Sequence, residues 1–333
     1  MSSIWQSALS IFVTERYGKG VEFLYSNIER STEYKNCMLD FIKREYEIEA
    51  AGIAPAKRGY YGETWRLDAS DTSYFVKLVY PNVHKTIYAR SFPIIQHLCD
   101  HGIEFISRIV KAKDGSLSTQ FDNAILGIFT WIDGEHIETD ATKIPEYQML
   151  AKVYTIPADG ISIPRESFSG RSAETFFNQW SETNDKKILA LLEKNRKKLE
   201  HRANRLKHFA SLCKADSAGF FITHGDAGGN LIKDGDKYFI VDWDNPILAP
   251  PERDAWVMCS RDWAREAFQY ALRQNGIEHI LRPDRLAYYC YHYFFFYLTS
   301  YLDGFTQLDS VQEIEEYTDG WIEASIKYAD VSF

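Results

Sequence analysis

Cysteine is sparse in this chain. Its five residues, Cys37, Cys99, Cys213, Cys259 and Cys290, are odd in number, widely scattered and never in a Cys-x-x-Cys pair. That argues against a disulfide framework or a zinc site and fits a reducing, cytoplasmic setting. No Gly-x-x-x-x-Gly-Lys-Ser/Thr run occurs, which excludes a P-loop enzyme. A membrane-spanning helix needs ~20 predominantly apolar residues. The best candidate, residues 286–302, offers 17, crowded with tyrosine hydroxyls, and reads as a buried helix. Between Met1 and Glu15 no basic segment precedes an apolar run, so the start is a poor signal peptide. No internal repeat or low-complexity tract stands out.

Positive charge is missing from one long stretch. Between Leu286 and Ile326 there is no Lys or Arg, yet Asp303, Asp309, Glu313, Glu315, Glu316, Asp319 and Glu323 all fall there. The basic excess lies instead in residues 185–209, with nine Lys/Arg against three Asp/Glu, inside a chain of net charge −9. An acidic wall near a site attracts cationic small molecules and repels nucleic acid; its bland reading is a solvated face. The basic stretch lacks the interleaved aromatics of single-strand binders, so it too reads as a solvated helical face.

What is present fits a globular chain of 333 residues with 45% hydrophobic content, large enough for two lobes. Residues 1–35 read as a helical extension that caps the first lobe or makes a dimer contact, and residues 36–50 as a short amphipathic helix. Strand character begins near Ile53. It continues through a tight turn at Tyr60-Tyr61-Gly62-Glu63, then Thr64–Leu67, Tyr74–Val79, Ser107–Val110 and Ala124–Phe129. A helix is expected near 84–101, with Ile87, Ile94, Ile95 and Leu98 inward and Pro93 as a possible kink. After residue 134 helical periodicity takes over, at 144–156, 172–182 and one long helix at 184–213.

The richest segment runs from Phe220 to Trp256. An apolar run leads to His224-Gly225-Asp226, then Asn230, then Asp242-Trp243-Asp244. Between them Asn230–Ile232 and Tyr238–Val241 flank Asp234-Gly235-Asp236, a strong hairpin signal. Such a hairpin brings Asp226, Asn230 and Asp242 into one small volume. All three are hard oxygen donors of the kind Mg²⁺ prefers when it also holds substrate phosphates. Lys77, inside an apolar strand, is conspicuous because a buried ammonium is costly unless paired.

These residues carry a resemblance. His224-Gly225-Asp226-Ala227-Gly228-Gly229-Asn230, Val241-Asp242-Trp243-Asp244 and Leu248-Ala249-Pro250-Pro251-Glu252-Arg253-Asp254 resemble the aminoglycoside phosphotransferase family, with choline kinases as more distant relatives. Tyr74-Phe75-Val76-Lys77 and Trp131-Ile132-Asp133-Gly134 extend the match over roughly residues 36 to 305. The resemblance implies an α+β, protein-kinase-like bilobal fold. Residues 1–35 would be an extension, 36–134 an antiparallel-sheet nucleotide-binding lobe ending in the hinge, and 135–333 a mainly helical catalytic and substrate-binding lobe. It also implies Mg²⁺ with ATP or GTP, and phosphoryl transfer to a hydroxyl of a cationic acceptor, an aminoglycoside or aminocyclitol, with antibiotic resistance as the consequence. A metabolic amino-alcohol kinase and a kinase-fold binding or structural protein without turnover are the alternatives. No nucleic acid or membrane partner is expected, and the chain is read as a monomer or homodimer.

By the same resemblance Asp226 is the catalytic base, and Asn230 and Asp242 are metal ligands. Lys77 meets nucleotide phosphates, Tyr61 and Gly62 cover them, and Phe129 and Trp131 line the hinge. His224 holds the loop's shape. Asp244 is a candidate for a second metal or substrate, and Glu252 for substrate, against a turn carboxylate and a packing corner. Two departures stand out. Three residues, not the usual four, separate Asp226 from Asn230, and residues 78–103 contain no glutamate to pair with Lys77.

Overall fold

The computed structural model describes residues 30–56, 62–80, 82–216, 218–302, 314 and 322–332. Residues 1–29 and the turn residues Tyr60 and Tyr61 therefore lie outside the described residues. So do the acids Asp303, Asp309, Glu313, Glu315, Glu316 and Asp319.

Helix α1 (Thr32–Tyr46) opens the first lobe. The Ser31 hydroxyl caps it by accepting from the Tyr34 N–H. Six strands follow in one antiparallel sheet: β1 (Ala50–Pro55), β2 (Gly62–Ala69), β3 (Ser73–Val79), β4 (Ile109–Val110), β5 (Thr119–Phe121) and β6 (Ala124–Thr130). The order is β1-β2-β3-β6-β4, with β5 also paired to β6. Side chains alternate between the faces of a strand, so β3 divides its residues in two. Val76 and Leu78 join Trp65, Leu67, Leu126 and Ile128 under the Met38–Ile42–Tyr46 face of α1. Phe75, Lys77 and Val79 take the other face, toward helix α2 (Asn82–Asp100). That parity puts an ammonium on the cleft side of an otherwise apolar strand.

The second lobe is mainly helical. It contains α3 (Lys143–Val153), α4 (Arg171–Glu182), α5 (Lys186–Lys194), α6 (Arg196–Lys214), α7 (Glu252–Ala255), α8 (Asp262–Gln274), α9 (Pro283–Leu302) and α10 (Glu323–Val331). Helix α9 is its centre. Tyr288, Tyr289, Tyr291, Phe294 and Phe295 are each about fully buried, and α4, α6 and α10 pack around it. Among the described residues no helix is long and apolar enough to cross a membrane. Short strands thread this lobe: β7 (Glu135–His136) pairs with the hairpin β9 (Leu231–Asp234) and β10 (Lys237–Ile240), and β8 (Phe221–Thr223) pairs with β11 (Ile247–Ala249).

Two expectations need correction. The single helix at 184–213 is two helices, broken at Asn195, whose side-chain amide donates to the Leu191 carbonyl at 3.0 Å and ends α5. An asparagine bonding its own turn competes with helix continuation. The basic residues of α6 are also not all on a solvated face. Arg202 is buried, pairs with Glu323 and lies 4.5 Å over the Phe294 ring. Arg205 reaches Asp330 at 3.6 Å. The basic stretch thus anchors α10, and Glu323, one of the seven acids of the basic-free stretch, is spent on that contact.

Helix α5 begins with Asp185, whose carboxylate accepts from the N–H groups of Lys187 (2.8 Å) and Ile188 (3.1 Å). Asp185→Ala is expected to lower unfolding free energy by about 1 kcal/mol, as loss of an N-cap does. Urea denaturation checks this: the midpoint falls while the slope is unchanged.

Candidate active site

The segment from His224 to Asn230 leaves β8 and is built from its backbone outward. Asp254, on α7, accepts the His224 N–H at 3.1 Å with Oδ2 and the Gly225 N–H with Oδ1. Tyr154 donates to the same Oδ2 at 2.7 Å. Tyr293 of α9 donates to the Gly225 carbonyl at 3.1 Å. Beside Asp254, Arg253 donates to Thr223 Oγ1 at 3.0 Å and to the Asn245 carbonyl at 3.1 Å. Its guanidinium lies where a side chain at residue 225 would go: a Cβ there would be 2.1 Å from Arg253 Cζ, and φ is +86°. Only glycine fits.

His224 locks the two acidic motifs together. The Asp226 N–H donates to His224 Nδ1 at 3.1 Å. Nδ1 is therefore the acceptor, and Nε2 carries the proton it donates to the Val241 carbonyl at 2.9 Å. Burial lowers the imidazole pKa, in keeping with this neutral tautomer. Trp243 sits edge-on to the same ring, 4.5 Å between centroids, and its indole N–H donates to the Ile240 carbonyl at 3.0 Å. The Val241 N–H donates to the Asn230 carbonyl at 2.9 Å. Motifs 16 residues apart, at Asp226 and Asp242, thus become one rigid unit.

The shortened loop closes on itself. Gly229 takes φ +87° and the Asn230 N–H bonds the Ala227 carbonyl at 3.1 Å. The Asn230 amide nitrogen donates to the Asp226 carbonyl at 2.6 Å, which leaves its oxygen as the group available to a cation. Beneath the loop lies a buried ionic cluster: Lys143 bonds Glu146 at 2.9 Å and approaches Glu138 at 3.5 Å. The same lysine nitrogen is 3.5 Å from a Cβ position at Gly228.

Across the cleft, Lys77 Nζ bonds Asp242 Oδ1 at 2.9 Å and Asp244 Oδ2 at 2.6 Å. Burial disfavours its charge, but the two carboxylates overcome this and hold its pKa well above the usual lysine range. Asp242 adopts φ +64°, a conformation costly for most side chains but tolerated by aspartate. Enclosure works to raise the Asp242 carboxyl, yet the Lys77 ammonium outweighs it and holds that pKa below the usual aspartate value. Enclosure, then the Asp242 charge, raise Asp244 to about 6. The same two causes push Asp226 up to about 8. The side chain itself opens to the cleft, where solvent reaches it.

Asp226, Asn230, Asp242, Asp244 and Lys77 are therefore brought together. Trp131 follows the end of β6, 6.5 Å from the Phe75 ring and under the Arg66 guanidinium at 4.9 Å. Phe129 is buried against Phe92 at 5.6 Å and serves the core. Gly62 starts β2, packed against the Leu78 carbonyl. Glu252 is 0% exposed, accepting from His279 at 2.9 Å and from the Arg282 N–H at 2.6 Å. It occupies a packing corner and offers nothing to the cleft. Sequence reading missed Arg253, Asp254 and Tyr293. The available signal was three consecutive charged residues behind two prolines, next to a run of Ala and Trp.

A two-lobed molecule with a lysine on the sheet facing a carboxylate–amide cluster on the helical lobe is a kinase-like small-molecule phosphotransferase. The profile of the phosphotransferase enzyme family matches residues 52–289, and the chain belongs to that family. Among solved structures, a spectinomycin phosphotransferase in complex with ADP and spectinomycin superposes with a TM-score of 0.71 at 19% identity, covering 88% of this chain and 98% of that one. A microcompartment-associated aminopropanol kinase gives 0.64 at 13%, covering 89% and 98%. A choline kinase from Streptococcus pneumoniae gives 0.61 at 12%, covering 90% and 100%. At such identities the likeness is one of fold. No curated protein matches.

Raising the Asp226 pKa has a consequence for stability. Between the unfolded carboxyl value of about 3.9 and the folded value, the folded state binds more protons, so stability falls as pH rises through that window. Asp226→Asn is therefore expected to raise the melting temperature at pH 8 and to give little change at pH 4. Calorimetry at the two pH values checks the sign. Gly225→Ala is expected to act oppositely, lowering melting temperature at every pH through its contact with Arg253.

Proposed function

We propose that the chain transfers the γ-phosphoryl group of ATP or GTP, with Mg²⁺, to a hydroxyl of a cationic small molecule in the cytoplasm, an aminoglycoside or aminocyclitol by preference. The observation that carries this reading is the convergence of Lys77, Asp226, Asn230, Asp242 and Asp244 at the mouth between the lobes. Asp242, Asp244 and the Asn230 amide oxygen are hard donors, which fits a divalent cation shared with phosphates. Bound there, Mg²⁺ would neutralise charge on the transferring phosphates.

The chain's own residues do the rest. Lys77 supplies positive charge to the phosphates from the sheet. Asp226 orients the acceptor hydroxyl and, once deprotonated, takes its proton late in the transfer. Its backbone is held on both sides, by His224 and by the Asn230 amide, so the carboxylate is positioned before substrate arrives. Trp131 and Phe75 offer an aromatic wall for a base near the hinge, and the Trp131 backbone N–H is already given to the Ser73 carbonyl at 3.3 Å.

Phosphate transfer from labelled ATP and GTP, screened against aminoglycosides, aminocyclitols and amino alcohols, tests the proposal. Transfer to an aminocyclic acceptor supports it, and transfer confined to amino alcohols replaces the acceptor with the metabolic alternative. Silence across the panel, with nucleotide bound, favours a binding protein without turnover. Asp226→Asn is expected to retain nucleotide while transfer falls by roughly 10² or more. For the wild type, kcat/KM should rise with pH as Asp226 loses its proton, a limb that the Asn variant lacks.

A further inference from the structure

The missing helix glutamate leaves a specific trace. The α2 residue that meets Lys77 is Tyr88, with Nζ 5.0 Å from its ring centroid. The ring is 2% exposed, and its hydroxyl has no hydrogen-bond partner among the described residues. A ring face supports a cation but carries no net charge. Among the described residues, the Lys77 ammonium is therefore balanced by Asp242 and Asp244 alone. These are the same carboxylates that suit a divalent cation. A cation arriving by itself has to break two charge-assisted hydrogen bonds at 2.9 and 2.6 Å and leave an ammonium beside it without a counter-ion. A nucleotide removes that obstacle, because its phosphates offer Lys77 a new partner as the carboxylates turn to the metal.

We propose that Lys77 bars free divalent metal from Asp242 and Asp244, so that metal enters only together with nucleotide, and that Tyr88 in place of a carboxylate makes this coupling strong. The inference rests on the phosphate-binding reading of Lys77. In linkage terms, the metal-competent arrangement is a minor state of the empty site, and apparent affinity falls by its population. Giving Lys77 its own anion on α2 restores that population.

Titration of Mn²⁺ into nucleotide-free protein, with the free ion followed by electron paramagnetic resonance, tests this directly. Wild type is expected to bind at least about tenfold more weakly than Lys77→Met, the effect of removing a close like charge. Tyr88→Glu is expected to tighten Mn²⁺ similarly while nucleotide binding persists, whereas Tyr88→Phe stays at the wild-type value. Arg66→Met removes a positive charge from the same lobe without touching either carboxylate, and should change affinity by less than about twofold. Equal Mn²⁺ affinity in wild type and Lys77→Met overturns the proposal, as does an Arg66→Met effect as large as that of Lys77→Met. Unchanged affinity in a folded Tyr88→Glu, judged by circular dichroism, removes Tyr88 from it. Should Tyr88→Glu fail to fold, the Lys77 comparison still decides. If wild type fails to bind Mn²⁺ with ADP, the nucleotide reading fails, and the nucleotide-free comparison still reads the competition for the carboxylates.

Discussion

The Asp254 carboxylate, lying under the backbone of His224 and Gly225, is the contact on which the site's geometry rests. Each of its oxygens receives a main-chain N–H, and one also receives the Tyr154 hydroxyl. Those donors leave the end of β8 with no strand partner, so a charged acceptor supplies what the sheet no longer does. Arg253 on one side and Tyr293 on the other complete the support. Asp226, in its proposed role as base, has its chain fixed in this way and loses little freedom when an acceptor arrives. The arrangement also explains why charged residues are buried in α7: each has a main-chain group to hold.

Charge is handled differently above and below the loop. Below it, Lys143 with Glu138 and Glu146 forms a closed cluster, nearly inaccessible to water, that fills space under Gly228. Above it, Lys77, Asp242 and Asp244 form a cluster that opens to the cleft. The first can only be structural, since no partner can be exchanged without leaving a buried charge alone. The second can trade partners because solvent and substrate reach it.

Much of this was legible in the sequence because the chemistry demands particular side chains. Asp226, Asn230 and Asp242 are recognisable by type and by the hairpin signal between them, and Lys77 by its oddity in an apolar strand. The kinase-like architecture followed from the change of period near residue 134 and from the resemblance. Supports that act through main-chain atoms were not legible. Asp254 holds residues 30 and 29 positions earlier, and nothing in a one-dimensional pattern links a carboxylate to a distant N–H. Tyr88 was hidden for another reason: an aromatic in an amphipathic helix reads as core, and only its distance to Lys77 says otherwise. The break at Asn195 was invisible because the apolar spacing runs through it, while a side-chain amide decides where α5 stops.

The hairpin joining the two acidic motifs acts as a ruler. Lys237 opposes Asp234 and Ile240 opposes Leu231, with only Gly235 and Asp236 beyond the last pair. A residue added within either strand would turn every following side chain to the opposite face and carry Asp242 away from Asn230. The tip is under no such constraint. Residues 234–237 are exposed and lie at the opposite end of the strands from the segment 226–230. The chain could accept a cut or an inserted segment there, with new termini made within a few residues of its most sensitive motif, and the Asn230–Asp242 end would keep its spacing.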